Sequence, residues 1–129
     1  MTRLLLDTHA VLFWWSGSAE LSPVAREAIS DERAEILVSA ASCWEISTKF
    51  RIGKLAFAGD PAVKVPQLMA QHGFDMLVVR ADHALRAGAL AGARKDPFDR
   101  LIAAQALIDD LTVVTRDRQI ADFGCKVLW

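Results

Sequence analysis

Residues 3–15 read RLLLDTHAVLFWW: a short apolar run, one acidic residue and then a helix-like stretch. The apolar run Arg3–Leu6 predicts a buried strand, and residues 8–15 predict a helix. The same order returns where EILVS, Glu35–Ser39, is followed by a helical stretch at Ala40–Arg51. Strands rich in Val, Ile and Leu that alternate with helices indicate a parallel sheet covered on both faces.

The rest of the chain continues this alternation. Further strands are predicted at residues 74–79, 112–115 and 126–128. Further helices are predicted from Ser22-Pro23 to about Glu32, at 61–71 with a break or restart at Pro66, at 82–92, from Asp96-Pro97 to about Asp110, and as one turn at 118–122. The expected fold is therefore a three-layer α/β/α domain over residues 1–129, with a central parallel sheet of about five strands.

Composition excludes several classes of protein. Of the 129 residues, 53% are hydrophobic and 24% charged, which excludes a disordered or fibrous chain. The net charge of −1 excludes a wholly basic nucleic-acid coat but permits a local basic patch. Two distant cysteines, Cys43 and Cys125, do not make a disulfide framework. Because Asp7 and His9 interrupt the apolar N-terminus, we expect no signal peptide, no membrane span and a cytoplasmic protein.

Acidic residues fall where the strands of this predicted sheet end. If each strand runs up and its helix runs back, every helix starts at the carboxyl edge, where such sheets bind ligands. Asp7 follows the first strand, Glu45 lies on the second turn of the helix after the second, and Asp117 follows the fourth. Asp96 and Asp99 start the helix before the fourth strand. All five acids are expected at one edge.

Each acid also has a structural interpretation. Asp7, Asp96 and Asp117 could cap helices, Asp99 could interact with a helix dipole, and Glu45 could lie on a solvated helix face. Together, however, such carboxylates would repel one another unless a cation neutralised them. Oxygen ligands favour Mg²⁺ or Mn²⁺, and the histidines and cysteines lack the spacing of zinc ligands. A carboxylate-held Mg²⁺ or Mn²⁺ is an arrangement that cleaves phosphodiesters.

Basic residues flank the same acids. Weak ion pairs on a solvated surface would explain each one singly, but as a group they could contact phosphates. Arg100 and Arg116 are the predicted phosphate contacts. The whole group consists of Arg94, Lys95, Arg100, Arg116 and Arg118.

Four segments carry a resemblance to a known family. They are LLLDTHA at residues 4–10, CWEIS at 43–47 with Lys49 and GKL at 53–55, DPFDRLIAAQA at 96–106, and VTRD at 114–117. In this order and spacing the chain resembles the PIN-domain ribonucleases, and more narrowly the VapC toxins of bacterial toxin–antitoxin pairs.

The resemblance implies a Mg²⁺- or Mn²⁺-dependent endoribonuclease that cuts single-stranded or loop RNA and leaves a 5′-phosphate and a 3′-hydroxyl. It also implies a VapB-type antitoxin and a toxin homodimer. The family's catalytic, metal-holding acids fall on Asp7, Glu45, Asp99 and Asp117, with Asp96 and Thr115 auxiliary. Because the adjacent Trp14 and Trp15 cannot share one helix face, at least one is expected to contact a partner subunit or the antitoxin.

Two other interpretations stay open. A PIN-like module could dock on RNA or protein without catalysis, although the complete set of acids argues against that. A phosphotransfer domain could use Asp7 as its nucleophile. Such domains usually place a second acid beside or two residues after the first, whereas Thr8 and His9 follow here.

Overall fold

The computed structural model describes residues 2–92 and 95–129. Its centre is one sheet of five parallel strands in the order β3-β2-β1-β4-β5. The strands are β1 (Arg3–Leu6), β2 (Glu35–Ser39), β3 (Asp75–Leu77), β4 (Thr112–Val114) and β5 (Lys126–Leu128). The predicted α/β fold with a five-stranded parallel sheet is confirmed.

In the described part of the chain, seven helices connect these strands. They are α1 (Thr8–Ser16), α2 (Pro23–Ser30), α3 (Ala40–Arg51), α4 (Pro61–His72), α5 (Ala81–Ala89), α6 (Pro97–Asp109) and α7 (Arg118–Asp122). Short polar side chains start most of them by accepting a backbone N–H of the first turn, as Ser22 does for α2 and Ser39 for α3. Among the residues described, no helix has the length and apolar character needed to cross a bilayer.

The core lies on both faces of the sheet. Leu4 and Leu6 pack with α1 and α2 on one face, whereas Leu5 packs with Ile102 of α6 on the other. All of these side chains are at most 1% exposed. A central strand buried on both faces explains why β1 is an unbroken apolar run rather than an alternating one.

Two elements differ from the sequence-based expectation. The third strand is only Asp75–Leu77, shorter than the predicted 74–79, because it is an edge strand that pairs with three residues of β2. The fourth helix does not break at Pro66. Val65 and Met69 are buried against the core on either side of this exposed proline, so packing holds the helix continuous.

The expectation that every helix starts at the carboxyl edge is wrong for α5. Arg80, at the start of α5, forms an ion pair with Asp109 at the end of α6. Arg100, in the first turn of α6, donates to the Ala87 and Leu90 carbonyls at the end of α5. The two helices are therefore antiparallel, and α5 starts at the amino edge, where α6 ends just before β4 begins.

Candidate active site

The path of the chain across the sheet changes direction between β1 and β4. The chain moves outward from β1 to β2 and β3, then crosses to β4 and β5 on the other side. Beyond the carboxyl ends of such strands, the connections diverge and leave a crevice where ligands bind. Asp7 follows β1 at this point and Thr115 follows β4, so both stand at the switch point of the sheet.

The Asp7 carboxylate is buried, with only 7% of the residue exposed. It accepts the backbone N–H of Ala10 at 2.7 Å, which caps α1, and the hydroxyl of Thr115. Burial raises the pKa of Asp7 above its ordinary value, although these hydrogen bonds oppose the rise. The negative charge of Glu45 raises it further, which places the two carboxylates within electrostatic reach of each other.

Glu45 is also buried, at 5% exposure, so its interpretation as part of a solvated helix face is wrong. The Thr8 hydroxyl donates to one carboxylate oxygen at 2.6 Å and lies 2.9 Å from the Ser42 hydroxyl. The Lys49 ammonium forms an ion pair with the other oxygen. Both oxygens therefore have fixed partners, and the carboxylate is held in one orientation.

The other acids stand at helix starts, as the sequence predicted. Asp96 caps α6 by accepting the N–H groups of Phe98 at 2.9 Å and Asp99 at 3.3 Å. Asp99 lies half-buried in the first turn of the same helix. Asp117 caps α7 through the N–H of Gln119 at 2.9 Å. A carboxylate that caps a helix keeps lone pairs for a second partner, so capping and ion binding are compatible.

Lys49 connects the acids of α3 and α6. Its hydrogen bond to Glu45 raises the pKa of the ammonium, and the nearby charges of Asp96 and Asp99 raise it further. Thr115 makes a second connection, because its hydroxyl donates to Asp7 and accepts the N–H of Asp117 at 3.0 Å.

Within residues 2–92 and 95–129, no three His, Cys, Asp or Glu side chains already stand together as ligands of one ion. The donors nevertheless fit a hard divalent cation: they are carboxylate and hydroxyl oxygens, and the burial of Asp7 and Glu45 disfavours two uncompensated negative charges. Lys49 is the cation that now compensates Glu45. A metal ion bound by Glu45 would share that carboxylate with Lys49 or displace the ammonium, because each carboxylate oxygen has two lone pairs.

The basic residues differ in their contacts. Arg100 donates to backbone carbonyls of α5, and Arg116 lies over the rings of Phe13 and Trp129, with centroid distances of 5.1 and 5.7 Å. Their roles as phosphate contacts stay predictions. Of the rest, Lys95 and Arg118 are exposed, and Arg94 lies outside the described residues.

Sequence reasoning assigned no role to Lys49, Thr8 or Ser42. The signal for Lys49 is its spacing, one helical turn after Glu45, which favours an ion pair on the same face of the helix. Thr8 and Ser42 have no comparable signal, because only the crossing of α1 and α3 brings them to Glu45.

The chain belongs to the PIN domain family, because the family model described as PIN domain matches residues 4–124. Among curated proteins it is similar to Ribonuclease VapC22 of Mycobacterium tuberculosis, with 31% identity over 121 residues, which cover 93% of this chain and 91% of that protein. The resemblance to PIN-domain ribonucleases of the VapC type is confirmed.

Solved structures share the fold. VapBC2 from Rickettsia felis, bound to a DNA fragment from its promoter, aligns with a TM-score of 0.71 at 14% identity, over 98% of each chain. A toxin–antitoxin complex from Klebsiella pneumoniae aligns with a TM-score of 0.67 at 20% identity, over 98% of this chain and 96% of that one. At these identities the likeness supports the fold alone.

Proposed function

We propose that this protein is a Mg²⁺- or Mn²⁺-dependent endoribonuclease and the toxin of a toxin–antitoxin pair, acting in the cytoplasm, where its RNA substrates are. The observation that carries the proposal is the burial of two carboxylates that interact electrostatically, Asp7 at the switch point of the sheet and Glu45 on the helix after β2. Burying a carboxylate costs free energy unless hydrogen bonds or a cation compensate it, and Lys49, the cation paired in the described structure, contacts Glu45 and not Asp7. The similarity to a protein named as a ribonuclease supports the same chemistry.

In the proposed site, Asp7, Glu45 and Asp99 hold the metal ion, directly or through water, and Asp117 completes the set. When bound, Mg²⁺ or Mn²⁺ supplies activation of water and neutralisation of the phosphoryl charge. The protein's own part is orientation: Thr8 holds Glu45, while Thr115 and the first turn of α1 hold Asp7. This preorganised arrangement removes the cost of ordering the carboxylates during the reaction.

Chelation of divalent metal is expected to stop RNA cleavage completely. The purified protein is incubated with a single-stranded RNA in Mg²⁺, in Mn²⁺ and in EDTA, and the ends of the products are mapped. Saturating metal should also stabilise the fold, by about 2.7 kcal/mol at a hundred times the dissociation constant, because an ion that binds only the native state shifts the folding equilibrium by mass action. Cleavage that persists in EDTA, or products without a 5′-phosphate, would refute the proposed chemistry.

Replacing Thr8 with valine is expected to weaken Mn²⁺ binding, measured by calorimetry, by about tenfold or more, since groups that orient metal ligands commonly contribute 10- to 100-fold. RNA cleavage should fall in parallel. Thr8→Ser keeps the hydroxyl and should restore both quantities. A valine variant with unchanged Mn²⁺ affinity would show that Thr8 has only a packing role.

The proposed antitoxin would occupy the groove between α1, α4 and the segment 55–58. The groove has a volume of about 510 Å³ and is mainly apolar. Trp15 lines it, and the indole N–H of this residue is buried with no hydrogen-bond acceptor among the described residues. Trp14 instead donates to His72 at 3.0 Å, and neither tryptophan is fully buried, so the predicted partner contact stays open. The homodimer also remains a proposal.

A further inference from the structure

A second cavity, of about 260 Å³, opens beside Glu45 between α1 and the end of α3. The buried side chains of Thr8 and Glu45 line it, together with Lys49 and the exposed residues His9 and Lys54. The cavity thus leads from Glu45 to the surface. A strand that reaches the acids from this side must pass the two lysines.

The charged side chains that line this cavity are two lysines, Lys49 and Lys54, and one acid, Glu45. Lys49 is already paired with Glu45, whereas no described acidic side chain forms an ion pair with Lys54. The cavity therefore presents the Lys54 ammonium, without an ion-pair partner among the described residues, in the same lining as the buried Glu45 carboxylate. Such an arrangement suits a ligand that carries one phosphate at the metal-binding acids and a neighbouring phosphate a short distance away.

The two arginines favoured by the sequence already have other contacts. Arg100 donates to the carbonyls of Ala87 and Leu90, and Arg116 lies over two aromatic rings, 3.8 Å from Glu20. A polyanion that approaches an acidic pocket nevertheless needs cationic contacts. Of the two lysines that line the cavity, Lys49 is paired with Glu45, whereas Lys54 can provide such a contact without giving up an ion-pair partner among the described residues.

We propose that Lys54, together with Lys49, forms a binding subsite for the RNA phosphate that flanks the scissile one. The inference rests on the proposed ribonuclease function and names the path of its substrate strand. Lys54 contacts the flanking phosphate whether or not Lys49 is paired with Glu45. Lys49 contacts the same phosphate when its ammonium leaves Glu45. An acidic peptide would meet the same charges, but Glu45, one of the proposed metal-binding acids, lines the cavity, and this favours RNA.

The test measures binding of an unstructured RNA oligonucleotide by fluorescence anisotropy in EDTA, where cleavage does not interfere. Lys54→Gln is expected to weaken binding about three- to tenfold and to reduce the slope of log affinity against log salt by about 0.7, the value for one phosphate contact on a single strand. Lys54→Arg should keep wild-type binding. Lys126→Gln is the matched control, because Lys126 pairs with Asp110 at the opposite, amino edge of the sheet.

Each outcome decides the proposal. If Lys54→Gln and Lys126→Gln bind RNA alike, or if the wild type binds no RNA, the subsite is refuted. If Lys54→Gln weakens binding of a poly-glutamate peptide but not of RNA, the cavity takes an acidic peptide and the subsite is again refuted. Cleavage in Mg²⁺ is scored separately: a protein that binds RNA through Lys54 without cutting it retains this subsite and loses the nuclease function.

Discussion

Replacing Asp7 with asparagine is expected to reduce RNA cleavage by at least about a hundredfold and, in metal-free buffer, to raise the melting temperature. Cleavage is lost because the neutral amide is a poor ligand for a divalent cation and does not offset its charge. Stability rises because burial raises the pKa of Asp7, so the ionised carboxylate is disfavoured in the native state. Asparagine can still accept the Ala10 N–H and cap α1.

The direction of the pH dependence follows from the same shift. An acid whose pKa is higher in the native state than in the unfolded chain costs no stability at low pH, where both states are protonated. The cost grows as pH rises above the ordinary aspartate value and is complete above the native pKa. The advantage of Asp7→Asn over the wild type should therefore be absent near pH 3 and largest at neutral pH.

The matched control is Asp122→Asn, at an exposed position at the end of α7. It removes the same charge and should leave both cleavage and the pH profile of stability close to wild type. Undiminished cleavage by Asp7→Asn would remove Asp7 from the site and with it the proposed mechanism. A lower melting temperature in metal-free buffer would instead show that the hydrogen bonds to the carboxylate outweigh the cost of its burial.

Replacing Asp109 with alanine is expected to cost about 2–4 kcal/mol of stability, because it leaves a fully buried donor without an acceptor. His83 is 0% exposed, and its Nδ1 accepts the backbone N–H of Arg80 at 3.0 Å. The ring hydrogen is then on Nε2, which lies 3.2 Å from the Asp109 carboxylate. Asp109 also pairs with the Arg80 guanidinium at 2.9 Å, so one carboxylate connects the start of α5 to the end of α6.

Urea unfolding of Asp109→Ala and of Asp82→Ala gives the comparison. Asp82 also pairs with Arg80, at 3.0 Å, but on the exposed side, so its loss should have little effect. The Arg80 guanidinium holds the pKa of Asp109 below its ordinary value, so the stability that Asp109 contributes is present at neutral pH and lost as pH falls through its native pKa. Equal destabilisation by the two variants would contradict a special role for the buried histidine.

The fold was predictable because its local signals agree with one another. The apolar run of β1 is continuous, since both faces of a central parallel strand are buried, and Ser22 and Asp96 mark helix starts that the structure retains. The length of β3 was not predictable, because it depends on how many residues of β2 remain available for pairing at the edge.

The acids of the candidate site could be selected from the sequence because the predicted sheet is parallel. Parallel strands bring their carboxyl ends to one edge, so acids that follow separate strands are placed near one another by topology alone. The direction of α5 does not follow from such a rule, because the contacts of Arg80 and Arg100 with distant residues determine it.

By itself, the amino-acid sequence determined the strand–helix order, the helix caps, the family, and the choice of Asp7, Glu45, Asp96, Asp99 and Asp117 as acids to examine. Only the tertiary structure decided what these acids contact. How the helices cross determines the burial of Glu45 and its ion pair with Lys49. It also determines the hydrogen bond that Arg100 donates to α5. The physical reason is the separation in sequence over which each interaction acts. Caps and hydrophobic periodicity act over a few residues, whereas burial and charge pairing join residues far apart in the chain.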